Sequence, residues 1–294
     1  MSLLWQLILN GLIISAVYSL SALGLSLVYN TSKVFHVAHA GFFTVSVYLF
    51  YVFYKVLNFN FFVSLLLCFV SISLLAMFVE QVLYYPLYKR RASNGIKLIV
   101  SLGIYIIMVN IIALIFGNEV KVLYSGIEKS YSFLGLVITR IQIFQFIFGL
   151  TFSLGTILFL RFSVLGKAIR AVKENPQLAE VVGVDIRLVR FVVLVMGSLL
   201  VGICSILVGF DVGFDPWGGM SVFLFSAVAM IVGGIDSFEG SILGSFLLGV
   251  LKSVVLWKVS SRWGDTVVFI VLIIFLLFRP WGIVGSKKRL EEMV

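Results

Sequence analysis

Eight ionisable side chains fall within LGKAIRAVKENPQLAEVVGVDIRLVR, Leu165 to Arg190: Lys167, Arg170, Lys173, Glu174, Glu180, Asp185, Arg187 and Arg190. Charges of both signs on a short segment suit one kind of chemistry, the charge-assisted hydrogen bonding of one surface to another. A reaction centre is not in view. The two histidines, His36 and His39, and the two cysteines, Cys68 and Cys204, form no cluster with metal-ligand spacing. Nothing reads GxxxxGK[ST], and no nucleophile–base pair stands out. The chain is therefore expected to be no enzyme, to hold no cofactor of its own and to hydrolyse no ATP by itself.

The segment has the marks of a built shape. Leu165, Ile169 and Val172 recur at i, i+4 and i+7, which predicts one apolar helical stripe opposite Lys167, Arg170 and Glu174. Asn175-Pro176 then resets the chain, because the residue before proline avoids the helical region, Asn caps well and Pro suits a first helical position. A second short helix is expected over 176–182, with Leu178, Val181 and Val182 apolar, Gly183 as a left-handed terminator and Asp185 capping whatever follows. Two readings remain open at this point. The loop is either a basic, topology-setting connector whose stripes rest on the membrane surface, or a docking surface for a soluble partner.

A membrane enters through composition. Of 294 residues, 61% are hydrophobic and 12% charged, with a mean hydropathy of +1.16. Those values exclude an ordinary soluble domain. Apolar runs near the ~20 residues that cross a bilayer as a helix recur along the chain, whereas the alternating strands of a barrel do not. The expectation is an all-α integral membrane protein, a single polytopic domain over 1–294 with about 8–10 spans. Nine apolar segments stand at about 4–29, 38–57, 61–86, 96–117, 139–161, 189–210, 217–236, 239–258 and 264–280. The first lacks a basic leader and runs too long for a cleaved signal, so it is expected to remain as a span. Glycine-rich breaks at 210–220 and 233–241 leave room for re-entrant segments and for a count shifted by one or two.

The net charge of +9 follows from topology rather than from nucleic acid. One alternating set of connectors holds Lys33, Lys89, Arg90, Arg91, Lys97, Arg161, Lys167, Arg170, Lys173, Arg187, Arg190, Arg279, Lys287, Lys288 and Arg289, which is 15 basic residues. The other holds Lys55, Lys121, Lys129, Arg140, Lys258 and Arg262, which is 6. The excess predicts that the first set is cytoplasmic, with the N-terminus outside and the C-terminal KKRLEEMV inside. The loop at about 163–188 then faces the cytoplasm.

That loop resembles the coupling motif of ABC-importer permeases, where EAA, three residues and Gly form two helices seated on an ATPase; Ala179-Glu180-Val181-Val182-Gly183 stands near that glycine. GKAIRAVKENPQLAEVVGVD is similar to the version in permeases of the branched-chain amino acid (LivH-type) family. Three further stretches resemble the same family in the same order: NGLIISAVYSLSALGLSLVY from Asn10, VAHAGFFTVSVYL from Val37, and IVGGIDSFEGSILG with FIVLIIFLLFRPWGI from Ile231 and Phe269. The resemblance implies a bacterial inner-membrane permease working with a second permease subunit or a second copy of itself. It also implies two cytoplasmic ABC ATPases that use the ATP and an extracytoplasmic substrate-binding protein. Branched-chain or related amino acids are the implied cargo, with urea or short amides as the alternative.

On that resemblance the ATPase-coupling residues are Lys167, Arg170, Ala171, Lys173, Glu174, Pro176, Ala179, Glu180 and Gly183. The translocation path is assigned His39, Gly41, Phe225, Gly233 and Gly234. The chain departs from the pattern twice: Ala40-Gly41 stand where Gly followed by an acid is common, and Phe225 stands where many members have lysine.

Other features have plainer readings. His39 is either a helix-end histidine bonded to a carbonyl or part of the path, and His36 reads as interfacial. Glu80, about two turns from Lys89–Arg91, is expected to reach toward the interface. Lys252 is expected to find an interhelical partner, to line the path or to snorkel. Gly240 and Gly244 form a GxxxG packing pair, and Trp257, Trp263 and Trp281 mark span ends. A self-sufficient secondary transporter would need mid-span carboxylates or broken helices with polar ligands, and acidic residues there are almost absent.

Overall fold

The computed structural model describes residues 2–124, 126, 129–133, 135–257 and 263–285. Lys258, Arg262 and the C-terminal KKRLEEMV lie outside them. Among the described residues, nine apolar helical segments follow in order: α1 (Ser2–Ser32), α2 (Ala38–Tyr51) with a π-helical continuation Val52–Val56, α3 (Phe61–Val79) running through a π segment Glu80–Tyr84 into α4 (Tyr85–Lys89), α5 (Asn94–Phe116), α6 (Arg140–Phe162), α9 (Ile186–Asp211), α10 (Gly218–Gly233), α11 (Phe238–Leu256) and α12 (Gly264–Phe278). A hairpin of β1 (Ser130–Phe133) and β2 (Leu136–Thr139) precedes α6; α7 (Val164–Glu174) and α8 (Pro176–Val181) separate α6 from α9.

Six of these helices are long and apolar enough to cross a membrane, while α10 and α12 are shorter apolar helices of 16 and 15 residues. At 1.5 Å per residue those two reach roughly 22–24 Å, less than a hydrocarbon core. The chain is an all-α polytopic membrane protein.

The polarity gradient is inverted relative to a soluble protein. Helix α1 is the most enclosed of the candidate spans, yet its mean hydropathy is 1.9, against 2.7 for the largely exposed α5. Lipid rewards apolar side chains on the outside, and the interior tolerates hydroxyls that find partners. Ser15, Ser19, Ser21, Ser26 and Asn30 of α1 are all buried. Ser19 meets the Ser153 hydroxyl of α6 at 2.8 Å, and Ser226 of α10 donates to Ser21 at 2.8 Å. Close approach comes from glycine. Gly24 and Gly197 leave no room for a side chain between α1 and α9, and Gly11 does the same for α1 against α11.

Contacts between connectors pair only those that share a side if all nine segments cross. Lys121 bridges Phe214, Trp217 Nε1 donates to Asn118, and Gln6 bonds Val137; at the opposite end Asn30 donates to the Ile235 carbonyl and Lys33 pairs with Asp236 at 3.7 Å. The breaks at 210–220 and 233–241 are connectors between helices, and both use a positive-φ glycine, Gly213 and Gly234.

Candidate functional site

The polar loop is two short helices. Ser163 caps α7 through a bond from the Gly166 amide, and the Asn175 side chain accepts from the amides of Gln177 and Leu178 at 3.0 and 3.1 Å to start α8 at Pro176. Gly183 takes φ +88°, and Asp185 accepts from the Leu188 amide to begin α9. The first helix seats on the bundle with Gly166, Ile169 and Val172 buried. Leu165, read from sequence as part of that stripe, is exposed instead. Gly166 faces inward, and its α-carbon lies against the backbone of Phe159 and Leu160, a fit no larger residue makes.

The second helix turns its apolar edge outward. Ala179 is buried, but Leu178, Val181 and Val182 are 63%, 83% and 76% exposed. Three neighbouring aliphatic side chains on a loop this polar form a patch that calls for a cover. Lys167, Arg170, Glu174 and Glu180 are exposed on the same helix pair. Arg170 donates to the Arg161 carbonyl at 3.3 Å. Lys173 is turned inward: its ammonium pairs with Glu174 at 3.3 Å and lies 5.2 Å from the Phe238 ring of α11.

The residues assigned to the path are all buried but occupy separate contacts. His39 Nε2 is 3.1 Å from the Ser21 carbonyl, Gly41 packs against Met108 of α5, and Phe225 meets the Tyr18 ring edge-on at 4.9 Å. Gly233 is pressed against the backbone at Gly240, and Gly234 against Gly285.

Leu165, above, is the one expectation corrected. His36 lies in the connector between α1 and α2 and is fully buried there, with Nδ1 2.7 Å from the Tyr84 hydroxyl. Glu80 is 5% exposed and lines cavities with Arg190 and Arg187 at the start of α9. Lys252 has the interhelical partner anticipated for it, with Nζ 3.3 Å from Asp265 Oδ1, and Ser221 Oγ donates to the same carboxylate. Both cysteines are free and buried. No metal-competent cluster of His, Cys, Asp and Glu occurs among the described residues.

Sequence reasoning missed the hydroxyl seam of α1, although its signal was present: Ser15, Ser19, Ser26 and Asn30 recur at intervals of 4, 7 and 4. The Glu80–Arg190 neighbourhood was not legible, since its members are 110 residues apart.

A helical bundle enclosing a polar seam, with a capped polar corner at one end, defines a polytopic membrane protein. The sequence profile of the family described as branched-chain amino acid transport system / permease component matches residues 7–276, and the chain belongs to that family. It is 29% identical to the high-affinity branched-chain amino acid transport system permease protein BraD of Pseudomonas aeruginosa, with 96% of each chain covered. It is 28% identical to the probable branched-chain amino acid transport permease protein LivH of Methanocaldococcus jannaschii, over 98% of this chain and 96% of that one. Identity to LivH of Escherichia coli is 26%, with 96% of each covered. No solved structure matches the chain.

Proposed function

We propose that this chain is the transmembrane permease subunit of an ATP-driven importer for branched-chain or related amino acids, and that α7–α8 is the element on which a separate ATPase acts. The observation that carries the reading is the exposed Leu178–Val181–Val182 edge on a helix pair fixed by caps at both ends. A cover is needed, and the exposed charges of the same helix pair suit a partner with polar groups beside its apolar contact. The names of the relatives support the substrate class.

In mechanism, the ATPase dimer closes on ATP and displaces α7–α8. Because α7 follows α6 after the single residue Ser163 and Asp185 caps α9, the displacement tilts those two helices about the α1 core. The path then changes the side it faces. The positive-inside count supports a cytoplasmic loop, an external N-terminus and a cytoplasmic C-terminus. A second permease subunit and an external substrate-binding protein complete the assembly.

The test is co-purification with the ATPases encoded beside it. Wild type should hold them, whereas Val181→Asp, Glu180→Arg and Gly183→Trp should lose them. No ATPase on the wild type, or equal retention by the variants, contradicts the reading. Which ligand the cognate binding protein retains tests the substrate.

A further inference from the structure

Where α3 passes into α4, a groove of about 310 Å³ opens against the first turns of α9, lined among others by Glu80, Gln81, Tyr85, Asp185, Arg187 and Phe191. Arg187 is the second residue of a 26-residue span, so the groove sits where the span ends and headgroups begin. Its charged lining is one guanidinium and two carboxylates. The Arg187 guanidinium lies 4.1 Å over the Tyr85 ring, which aims it into the groove. Asp185 spends one oxygen on the Leu188 amide. Glu80 is buried yet lines the groove, and on its inner side it shares a small cavity with Arg190. Leu188 and Phe191 add apolar lining, and Phe78 of α3 and Leu188 of α9 are exposed.

We propose that this groove binds the headgroup of an amine-bearing phospholipid of the phosphatidylethanolamine type. Arg187 holds the phosphate and the Glu80 and Asp185 carboxylates accept from the primary ammonium. The acyl chains run down the apolar seam of α3 and α9. Charge complementarity selects this occupant. An anionic lipid brings a phosphate with no ammonium to answer two carboxylates, and a choline headgroup carries no N–H to donate. The bound lipid would brace the start of α9, three residues beyond Gly183.

The test uses the purified chain in nanodiscs containing phosphatidylethanolamine, phosphatidylcholine and phosphatidylglycerol in equal amounts with identical acyl chains. Lipids retained on release are counted by native mass spectrometry. Wild type should retain phosphatidylethanolamine up to about fivefold over phosphatidylcholine, the upper worth of an exposed ion pair. Glu80→Gln, which keeps the side-chain volume and leaves the Asp185 carboxylate, should lower that preference, and Arg187→Gln, at an exposed position, should lower retention of both. Equal retention of the two lipids by wild type, preference for phosphatidylglycerol, or retention unchanged by Arg187→Gln overturns the proposal.

Discussion

Lys173 Nζ lies 5.2 Å from the centre of the Phe238 ring, joining the last turn of α7 to the first residue of α11. The contact ties the polar corner to the α10–α11 turn, where Asn30 of α1 also bonds the Ile235 carbonyl at 2.9 Å. In the proposed mechanism this contact is a second point, besides α9, at which displacement of α7 would act. Phe238→Leu, which keeps an apolar side chain but removes the π face, should leave ATPase binding intact and lower ATP-driven uptake in proteoliposomes. A partly exposed cation–π contact is worth about 0.5–1 kcal/mol, so a two- to fivefold loss is expected.

The caps of the corner should be measurable one at a time. Asn175→Ala removes the acceptor for two α8 amides and should cost about 1 kcal/mol locally. Hydrogen exchange should accelerate across Gln177–Val181 and stay unchanged in α1. Uniform acceleration would mean that the corner is not an independent unit.

The corner was legible from sequence because its determinants are local. Asn175, Pro176, Gly183 and Asp185 act within four residues of themselves, and each fills the place its type dictates. The nine apolar segments were legible for the same reason. What spacing alone does not give is which side of an all-apolar helix faces lipid. Leu165 shows this: it is as apolar as Ile169, yet Gly166 takes the inward position because the backbone of α6 passes too close for a side chain. The path residues were named by resemblance, and their packing could not be inferred from where they stand in the chain.

Glycines divide into two groups that substitution should separate. Gly244 packs against the Ala229 and Gly233 backbone, while Gly103 and Gly155 have open space where a Cβ would go. Gly244→Val should destabilise the detergent-solubilised protein by about 1–3 kcal/mol through overpacking. Gly103→Ala should be neutral or stabilising by up to about 1 kcal/mol. Thermal unfolding followed by fluorescence reads both, and equal shifts would refute the assignment of Gly244 to a helix–helix seam.

Lys252 and Asp265 join α11 to α12 across 3.3 Å, with both side chains partly exposed. Lys252→Met and Asp265→Asn should each lower stability by no more than about 1 kcal/mol. The charge-swapped double variant should recover part of that loss, and a double-mutant cycle without coupling would dismiss the pair as structural.

The central claim, that α8 is covered by an ATPase, is tested most directly by proximity. Cys68 and Cys204 are buried, so Val181→Cys places an accessible thiol on the patch, and Val137→Cys places one at the opposite end of the bundle. With a short thiol-to-amine cross-linker in membranes holding the whole assembly, Val181→Cys should join to the ATPase and Val137→Cys should not. A Val181→Cys chain that stays uncross-linked, or a Val137→Cys chain that reaches the ATPase as readily, would contradict the account.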